Sequence, residues 1–174
     1  MTAVPSAPVT PSAAQTFLAH SRLPQAALAL ASAGALAMAL LSQYVGGLHP
    51  CEFCMWQRWA YVAALIALVP AIVLPRYRTL ALALGGLAFL AGGLIAGFHT
   101  GVEQHWWEGF TTCSSSAPKH LTLDQMREML MAAPLVRCDQ AQWTWHGISM
   151  AGFNTPASLL LALVAVLAIR ARKA

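Results

Sequence analysis

The sequence predicts an all-α membrane protein: a four-transmembrane-helix bundle with a long outer loop that carries a short interfacial helix. The chain of 174 residues is 58% hydrophobic and only 9% charged, whereas soluble domains carry roughly 25% charged residues. Four apolar stretches reach the length of about 20 residues that a spanning helix needs. Basic residues gather on one side of these stretches, and cysteines and acidic residues gather on the other.

The predicted spans divide the chain into a tail and one membrane domain. The spans cover about residues 23–48, 55–74, 79–99 and 148–169. The tail, residues 1–20, is rich in Pro, Ala, Ser and Thr, so we expect it to be disordered. We expect the first span to stay as an anchor in a single domain of residues 21–174. Outer loops then cover about residues 49–54 and 100–147.

The basic residues predict the orientation of the chain. One side of the spans carries Arg22, Arg76, Arg78, Arg170, Arg172 and Lys173. Because Lys and Arg concentrate in cytoplasmic segments, both termini are predicted to be cytoplasmic. The opposite side holds all six acidic residues and all four cysteines, and disulfides persist outside the cytosol. A net charge of +4 with this distribution indicates membrane orientation and no nucleic-acid partner.

The long loop contains one helical signal, the stretch LTLDQMREMLMAAP. Thr122 and Gln125 fit a capping box, and Leu123, Met126 and Leu130 recur on one face. The segment is too short to span, so we expect an interfacial helix lying on the bilayer. A small helix packed on the loop itself and a partner-docking helix are the alternatives.

The spacing of the cysteines predicts which of them pair. Four cysteines allow three pairings. A C-x-x-C can close locally, since its Cα atoms can fall within the roughly 4.4–6.8 Å that a disulfide needs. We therefore pair Cys51 with Cys54 and Cys113 with Cys138. The first bridge restrains little chain and lies at a helix N-terminus, which lowers a thiol pKa, so a reactive pair is favoured over a structural one.

Arg58 follows Cys54 by four residues, so on a helix the two share a face. Arginine inside a span is costly. We interpret it as a fixed cation beside a redox dithiol, which polarises the carbonyl of a membrane-soluble oxidant such as a quinone. A snorkelling arginine that anchors the helix is the alternative.

Together these features resemble the disulfide bond formation protein B (DsbB) family of bacterial inner-membrane oxidoreductases. The resemblance rests on four spans, on Cys51, Cys54 and Arg58, and on a second outer pair, Cys113 and Cys138. The stretches FHTGVEQHWWEGFTTC and CD…W…GISMAGFN also look like this family.

The resemblance implies a multi-pass inner-membrane enzyme with periplasmic cysteines. A DsbA-like thioredoxin-fold oxidase would give electrons to Cys113–Cys138. They would pass to Cys51–Cys54, and then to ubiquinone or menaquinone from the membrane pool near Arg58. A DsbA–DsbB–quinone system is what keeps the bacterial periplasm oxidising.

The resemblance also implies a histidine that assists the quinone, although the stretch before the first loop cysteine is shorter here than in other members. This stretch offers His99 and His105. We expect His99 to take the role, level with Arg58, and Glu103 to orient it one turn further on. An ordinary interfacial histidine is the alternative.

Two other functions stay open from the residues alone. His49, Cys51 and Cys54 with Cys113 or Cys138 match the ligand types of a tetrahedral zinc site. A structural membrane subunit with two inert disulfides is the second. Our preferred interpretation includes no metal, and it leaves open whether the soluble partner is general or dedicated.

Overall fold

A computed structural model describes residues 21–111, 122–124, 127, 131 and 136–173. Their four long helices are α1 (Leu23–Tyr44), α2 (Glu52–Val73), α3 (Arg78–Glu103) and α4 (Met150–Lys173). A short 3-10 turn, Pro75–Tyr77, joins α2 to α3. All four helical segments are long and apolar enough to cross a membrane. The predicted fold class of a four-helix membrane bundle is confirmed.

The helix ends differ from the predicted spans at the end of the bundle that carries the cysteines, here called the cysteine end. α1 stops at Tyr44, and the chain leaves it through Gly47, whose φ is +68°. α2 already begins at Glu52, because the Cys51 sulfur accepts a hydrogen bond from the Cys54 backbone N–H and caps the helix. α3 continues to Glu103. The apolar pattern underestimated how far α2 and α3 extend at this end, because the terminal residues Glu52 and Glu103 are charged.

The third span lies between its neighbours. α3 packs against both α2 and α4, whereas α1 packs mainly on α2. Glycines allow these close approaches: a Cβ added at Gly86 would lie 3.1 Å from the Cβ of Ala165, and one at Gly93 would lie 3.0 Å from Leu159 Cδ2. Small residues at helix contacts are typical of membrane bundles.

The outer surface of the bundle is apolar, as lipid contact requires. Leu30 is 74% exposed, Ile66 71% and Leu87 61%. Apolar surface on this scale is rare on soluble monomers. The core contains fully buried apolar side chains, among them Leu68 and Ala165.

A two-stranded hairpin precedes α4, with β1 (Thr144–Trp145) antiparallel to β2 (Ile148–Ser149). Its turn residues His146 and Gly147 have φ values of +49° and +80°. Positive φ at both central residues is the type I′ geometry that suits a two-residue hairpin. The hairpin brings Ser149 to the cysteine end.

Several sequence predictions fall outside the described residues: the tail of residues 1–20, Cys113, and most of the loop helix. Within that loop segment Leu123, Asp124, Arg127 and Met131 are helical.

Candidate redox site

A disulfide joins Cys51 and Cys54, whose Cα atoms are 5.0 Å apart. Cys51 is the residue before α2 and is buried. Its sulfur accepts a hydrogen bond from the Cys54 backbone N–H at 3.2 Å. The C-x-x-C therefore lies on the positive end of a helix dipole, which favours a thiolate when the bridge opens.

The loop cysteine Cys138 lies beside this bridge. It is completely buried in an apolar cluster with Cys51, Phe53 and Val102. Thr111 donates a hydrogen bond to the Cys138 sulfur at 3.7 Å. Because Cys113 is not among the described residues, the Cys113–Cys138 pairing stays a prediction. What the fold does provide is one loop cysteine packed next to the C-x-x-C.

His99 is buried against the same bridge. Its Nε2 lies 3.6 Å from the Cys51 sulfur and 3.7 Å from Glu103 Oε1. The backbone of Cys138 is also a hydrogen-bond partner of the ring. Glu103 accepts a further hydrogen bond from the hydroxyl of Ser149. His99 and Glu103 are thus one turn apart on α3 as expected. The His99 ring also lies close to the Cys51 sulfur, which was not expected.

Four polar residues that the sequence patterns did not single out extend from His99 into the bundle. They are here called the amide chain: Gln57, Asn154, Tyr61 and Ser158. The Nε2 of Gln57 lies 3.1 Å from His99 Nδ1, and its Oε1 accepts from Asn154 Nδ2 at 2.7 Å. Tyr61 donates to Asn154 Oδ1 at 2.6 Å, and Ser158 donates to the same oxygen at 3.1 Å.

A signal for the amide chain was present in the sequence. Gln57 and Asn154 are polar residues within or near apolar spans, where an unsatisfied polar group is expensive and usually functional. The sequence does not show how α2 and α4 are rotated about their axes, and it is this rotation that brings Gln57 and Asn154 together.

Arg58 lies on α2 but faces α1. Its Nη1 donates to Gln43 Oε1 at 2.5 Å, and its Nη2 donates to the Ala39 carbonyl at 3.0 Å. These two bonds satisfy part of the guanidinium at membrane depth. They also fix the direction of the charge, so Arg58 is held in one position rather than extended toward the surface.

One cavity of about 820 Å³ joins these groups. Cys51, Cys54, Arg58, His99 and Glu103 all line it, together with apolar residues of α1. Its size falls in the range of about 300–1,000 Å³ found for small-molecule sites. His105 does not belong to the lining; it is exposed and has a φ of +58°. Of the two candidate histidines, His99 is the one at the cavity.

Loop residues on both sides of Cys138 also line the cavity, among them Arg137 and Gln142. Gln142 is paired with the backbone of His49: its Oε1 accepts from His49 N at 3.0 Å, and its Nε2 donates to the His49 carbonyl. Nearby, Arg137 donates to both carboxylate oxygens of Asp139, at 2.8 and 2.6 Å. These hydrogen bonds hold the pKa of Asp139 below its usual value.

Three residues of this site have the ligand types of a metal centre. The ligand atoms of Cys51, Cys54 and His99 lie within 4.8 Å of one another. Zinc binds cysteine as a thiolate, however, and here the two sulfurs are bonded to each other. Among the described residues, the ligand atoms that come together with the two sulfurs are those of His99 and not those of His49, a ligand in the predicted zinc set.

A family model and several known proteins similar to this chain carry the same description. The family model described as "Disulfide bond formation protein DsbB" matches residues 21–168. A "Disulfide bond formation protein B" from Pseudoalteromonas atlantica is 32% identical over 76% of this chain and 80% of its own length. One from Shewanella sp. (strain MR-4) is 30% identical over 87% and 92%. One from Herminiimonas arsenicoxydans is 44% identical over 45% and 51%. No solved structure matches this chain at a significant level.

Proposed function

Because this chain belongs to the disulfide bond formation protein B family, we propose that it reoxidises a DsbA-like dithiol oxidase and delivers the electrons to a membrane quinone. Family membership makes it a multi-pass inner-membrane protein of disulfide-bond formation. The partner, the acceptor and the roles of individual residues are our proposal.

The observation that carries the proposal is the position of the Cys51–Cys54 bridge. It lies on the wall of an apolar cavity that also contains Arg58, and Cys138 is packed against it. A bridge that only stabilised the fold would have no need of a cavity on one side and a second cysteine on the other.

Electron transfer proceeds by two thiol–disulfide exchanges. A partner thiolate attacks the Cys113–Cys138 bridge; the partner leaves as a disulfide, and the loop pair becomes a dithiol. A thiolate of the loop pair then attacks Cys51–Cys54, so that the loop disulfide reforms and two electrons reside on the C-x-x-C. Each exchange forms one S–S bond and breaks one.

The cavity residues fit a quinone. Its lining is mostly apolar, as a quinone ring and tail require, and Arg58 supplies a fixed donor for a carbonyl oxygen. A bound quinone would supply a two-electron, two-proton acceptor for the reduced Cys51–Cys54 pair. Arg58 would stabilise negative charge on the carbonyl oxygen as it develops, and His99, with Glu103 beside it, would donate a hydrogen bond at the Cys51 sulfur.

We further propose that the cysteine end faces the periplasm and that both termini are cytoplasmic. The support is the charge distribution. Arg22, Arg76, Arg78 and Arg172 lie at the opposite end of the bundle, here called the basic end, as expected for cytoplasmic segments. Cysteine-accessibility labelling in intact and permeabilised cells would test this sidedness.

A reconstituted assay tests the function. The purified protein, a reduced DsbA-like oxidase and ubiquinone or menaquinone are mixed, and the loss of quinone absorbance is followed. We expect turnover with the wild type and none with Cys51→Ser or Cys113→Ser. Turnover that persists in either variant, or disulfides that stay oxidised with excess reduced partner, would refute the relay and favour a structural role.

A further inference from the structure

The side chain of Gln57 has a defined orientation. Its Nε2 donates to the Phe53 carbonyl at 3.2 Å, and its Oε1 accepts from Asn154 Nδ2 at 2.7 Å. A carbonyl can only accept hydrogen bonds. Turning the amide by 180° would therefore place oxygen against oxygen at Phe53 and N–H against N–H at Asn154. The two neighbours together hold the Gln57 N–H group toward His99.

This orientation determines where the proton of His99 lies. The Nε2 of Gln57 is only a donor, and it is 3.1 Å from His99 Nδ1, so Nδ1 must accept. A neutral imidazole has one N–H, and here that N–H is on Nε2. Nε2 lies 3.6 Å from the Cys51 sulfur and 3.7 Å from Glu103 Oε1, and the backbone of Cys138 is the remaining hydrogen-bond partner of the ring. A second proton on Nδ1 would collide with the Gln57 N–H.

We propose that Gln57 and Asn154 are positioning residues that keep His99 neutral with its proton on Nε2, the nitrogen that faces the Cys51 sulfur, so that a donor is always available there. The consequence for catalysis rests on the proposed function. Once the Cys51–Cys54 bridge has been reduced, a thiolate on Cys51 accepts two hydrogen bonds, from the Cys54 backbone N–H and from His99. Donors of this kind favour the thiolate over the thiol.

The charged and titratable groups around His99 explain why the hydrogen bond from Gln57 is needed. Cys51 and Cys54 face it from the start of α2, Glu103 faces it from its own helix, and Arg58 and Arg137 line the same cavity. Glu103 by itself would favour a second proton on the ring. The Gln57 N–H opposes that proton, so His99 keeps one function across the working pH range.

The position of the proton can be read directly by ¹⁵N NMR of the full-length protein labelled at histidine and held in lipid nanodiscs. His99→Gln identifies the signal. We expect wild-type His99 to remain the neutral Nε2–H tautomer from about pH 6 to 8, on either side of the usual histidine pKa. A wild-type signal from an Nδ1–H tautomer, or an imidazolium across this range, would overturn the proposal.

Gln57→Glu is the sharpest variant, because it preserves size and exchanges the donor for an acceptor. We expect both ring nitrogens of His99 to become protonated at neutral pH. Asn154→Leu should act in the same direction without adding charge, since it frees the Gln57 amide to turn. Ser158→Ala, at the far end of the amide chain, is the matched control and should leave the His99 signal unchanged.

A second readout follows Cys51 itself. In a Cys54→Ser background the rate of Cys51 alkylation is measured against pH. With Gln57 present the profile should show the single inflection of the thiol. In the Gln57→Glu variant it should gain a second inflection near or above about pH 6.5, from His99. Identical profiles would refute the positioning role, and neither readout requires quinone or partner, so their failure is distinct from failure of the relay.

Discussion

At the cysteine end of the bundle, α2, α3 and α4 contact one another through polar side chains, whereas toward the basic end the same helices meet through small apolar ones. Gln57, His99 and Asn154 are hydrogen-bonded between the helices in the first region. Leu68 and Ala165 pack against α3 in the second. Because polar groups inside a membrane are costly, we interpret the polar half as the functional region and the apolar half as the scaffold that holds its helices in register.

The largest effect expected in the polar half is that of Cys54→Ser. Without the second sulfur the C-x-x-C cannot store two electrons, so quinone reduction should be lost completely. The midpoint of thermal unfolding in detergent should stay close to that of the wild type, since a bridge across two residues restrains little chain. A much lower unfolding midpoint for the variant would show that the bridge has a structural role, and would weaken the contrast between the two halves.

Gly86→Leu tests the apolar half. A Cβ at Gly86 already lies 3.1 Å from the Cβ of Ala165, so a leucine must push α3 and α4 apart, at a cost of about 1–3 kcal/mol. Gly34→Leu is the matched control, because a Cβ at Gly34 has no neighbour within 4 Å. We expect a lower unfolding midpoint for the first variant only; equal midpoints would contradict the assigned contact.

Arg58→His separates quinone use from thiol exchange. The shorter side chain loses the bonds to Gln43 and Ala39 and the fixed charge in the cavity. We expect KM for quinone to rise about tenfold, which corresponds to roughly 1.4 kcal/mol. The rate at which the reduced partner exchanges with the loop cysteines should not change. Arg58→Lys, which keeps the charge, should be intermediate, and an unchanged KM in both variants would remove Arg58 from the quinone site.

The smallest effect belongs to the ion pair at the loop. The native pKa of Asp139 is depressed by Arg137, so the pair stabilises the loop above the ordinary carboxyl pKa and loses its contribution as pH falls through the native value. Because Arg137 is 54% exposed, Asp139→Asn should cost less than about 1 kcal/mol at pH 7. Amide hydrogen exchange at residues 137–142 should differ slightly at pH 7, and a large difference would show that the pair does more than order the surface.

The sequence was sufficient for features that depend on composition or on local spacing. The four helices follow from apolar length, and the Cys51–Cys54 bridge follows from a C-x-x-C that can close on itself. Arg58 stands out because a charge in a span is rare. His99 was also identified, although its contact with the Cys51 sulfur was not, since that contact depends on how α2 and α3 pack against each other.

Features that depend on how helices rotate against one another could not be read from the sequence. Gln57 and Asn154 are 97 positions apart, and no local pattern relates them. Their pairing is a consequence of α2 and α4 both packing on the glycine-rich faces of α3. The partners of Arg58 on α1 could not be predicted either. They depend on which face of α1 the loop at residues 45–50 turns toward α2.

The paired hydrogen bonds between Gln142 and the His49 backbone, here called the clasp, limit how far Cys138 can move. Cys138 precedes Gln142 by only a few residues, and an extended chain advances at most about 3.6 Å per residue, or about 14 Å over this stretch. While the clasp holds, Cys138 is tethered within that radius of a point next to the C-x-x-C. Under the proposed relay, Cys138 could move beyond this radius only after the hydrogen bonds between Gln142 and His49 break.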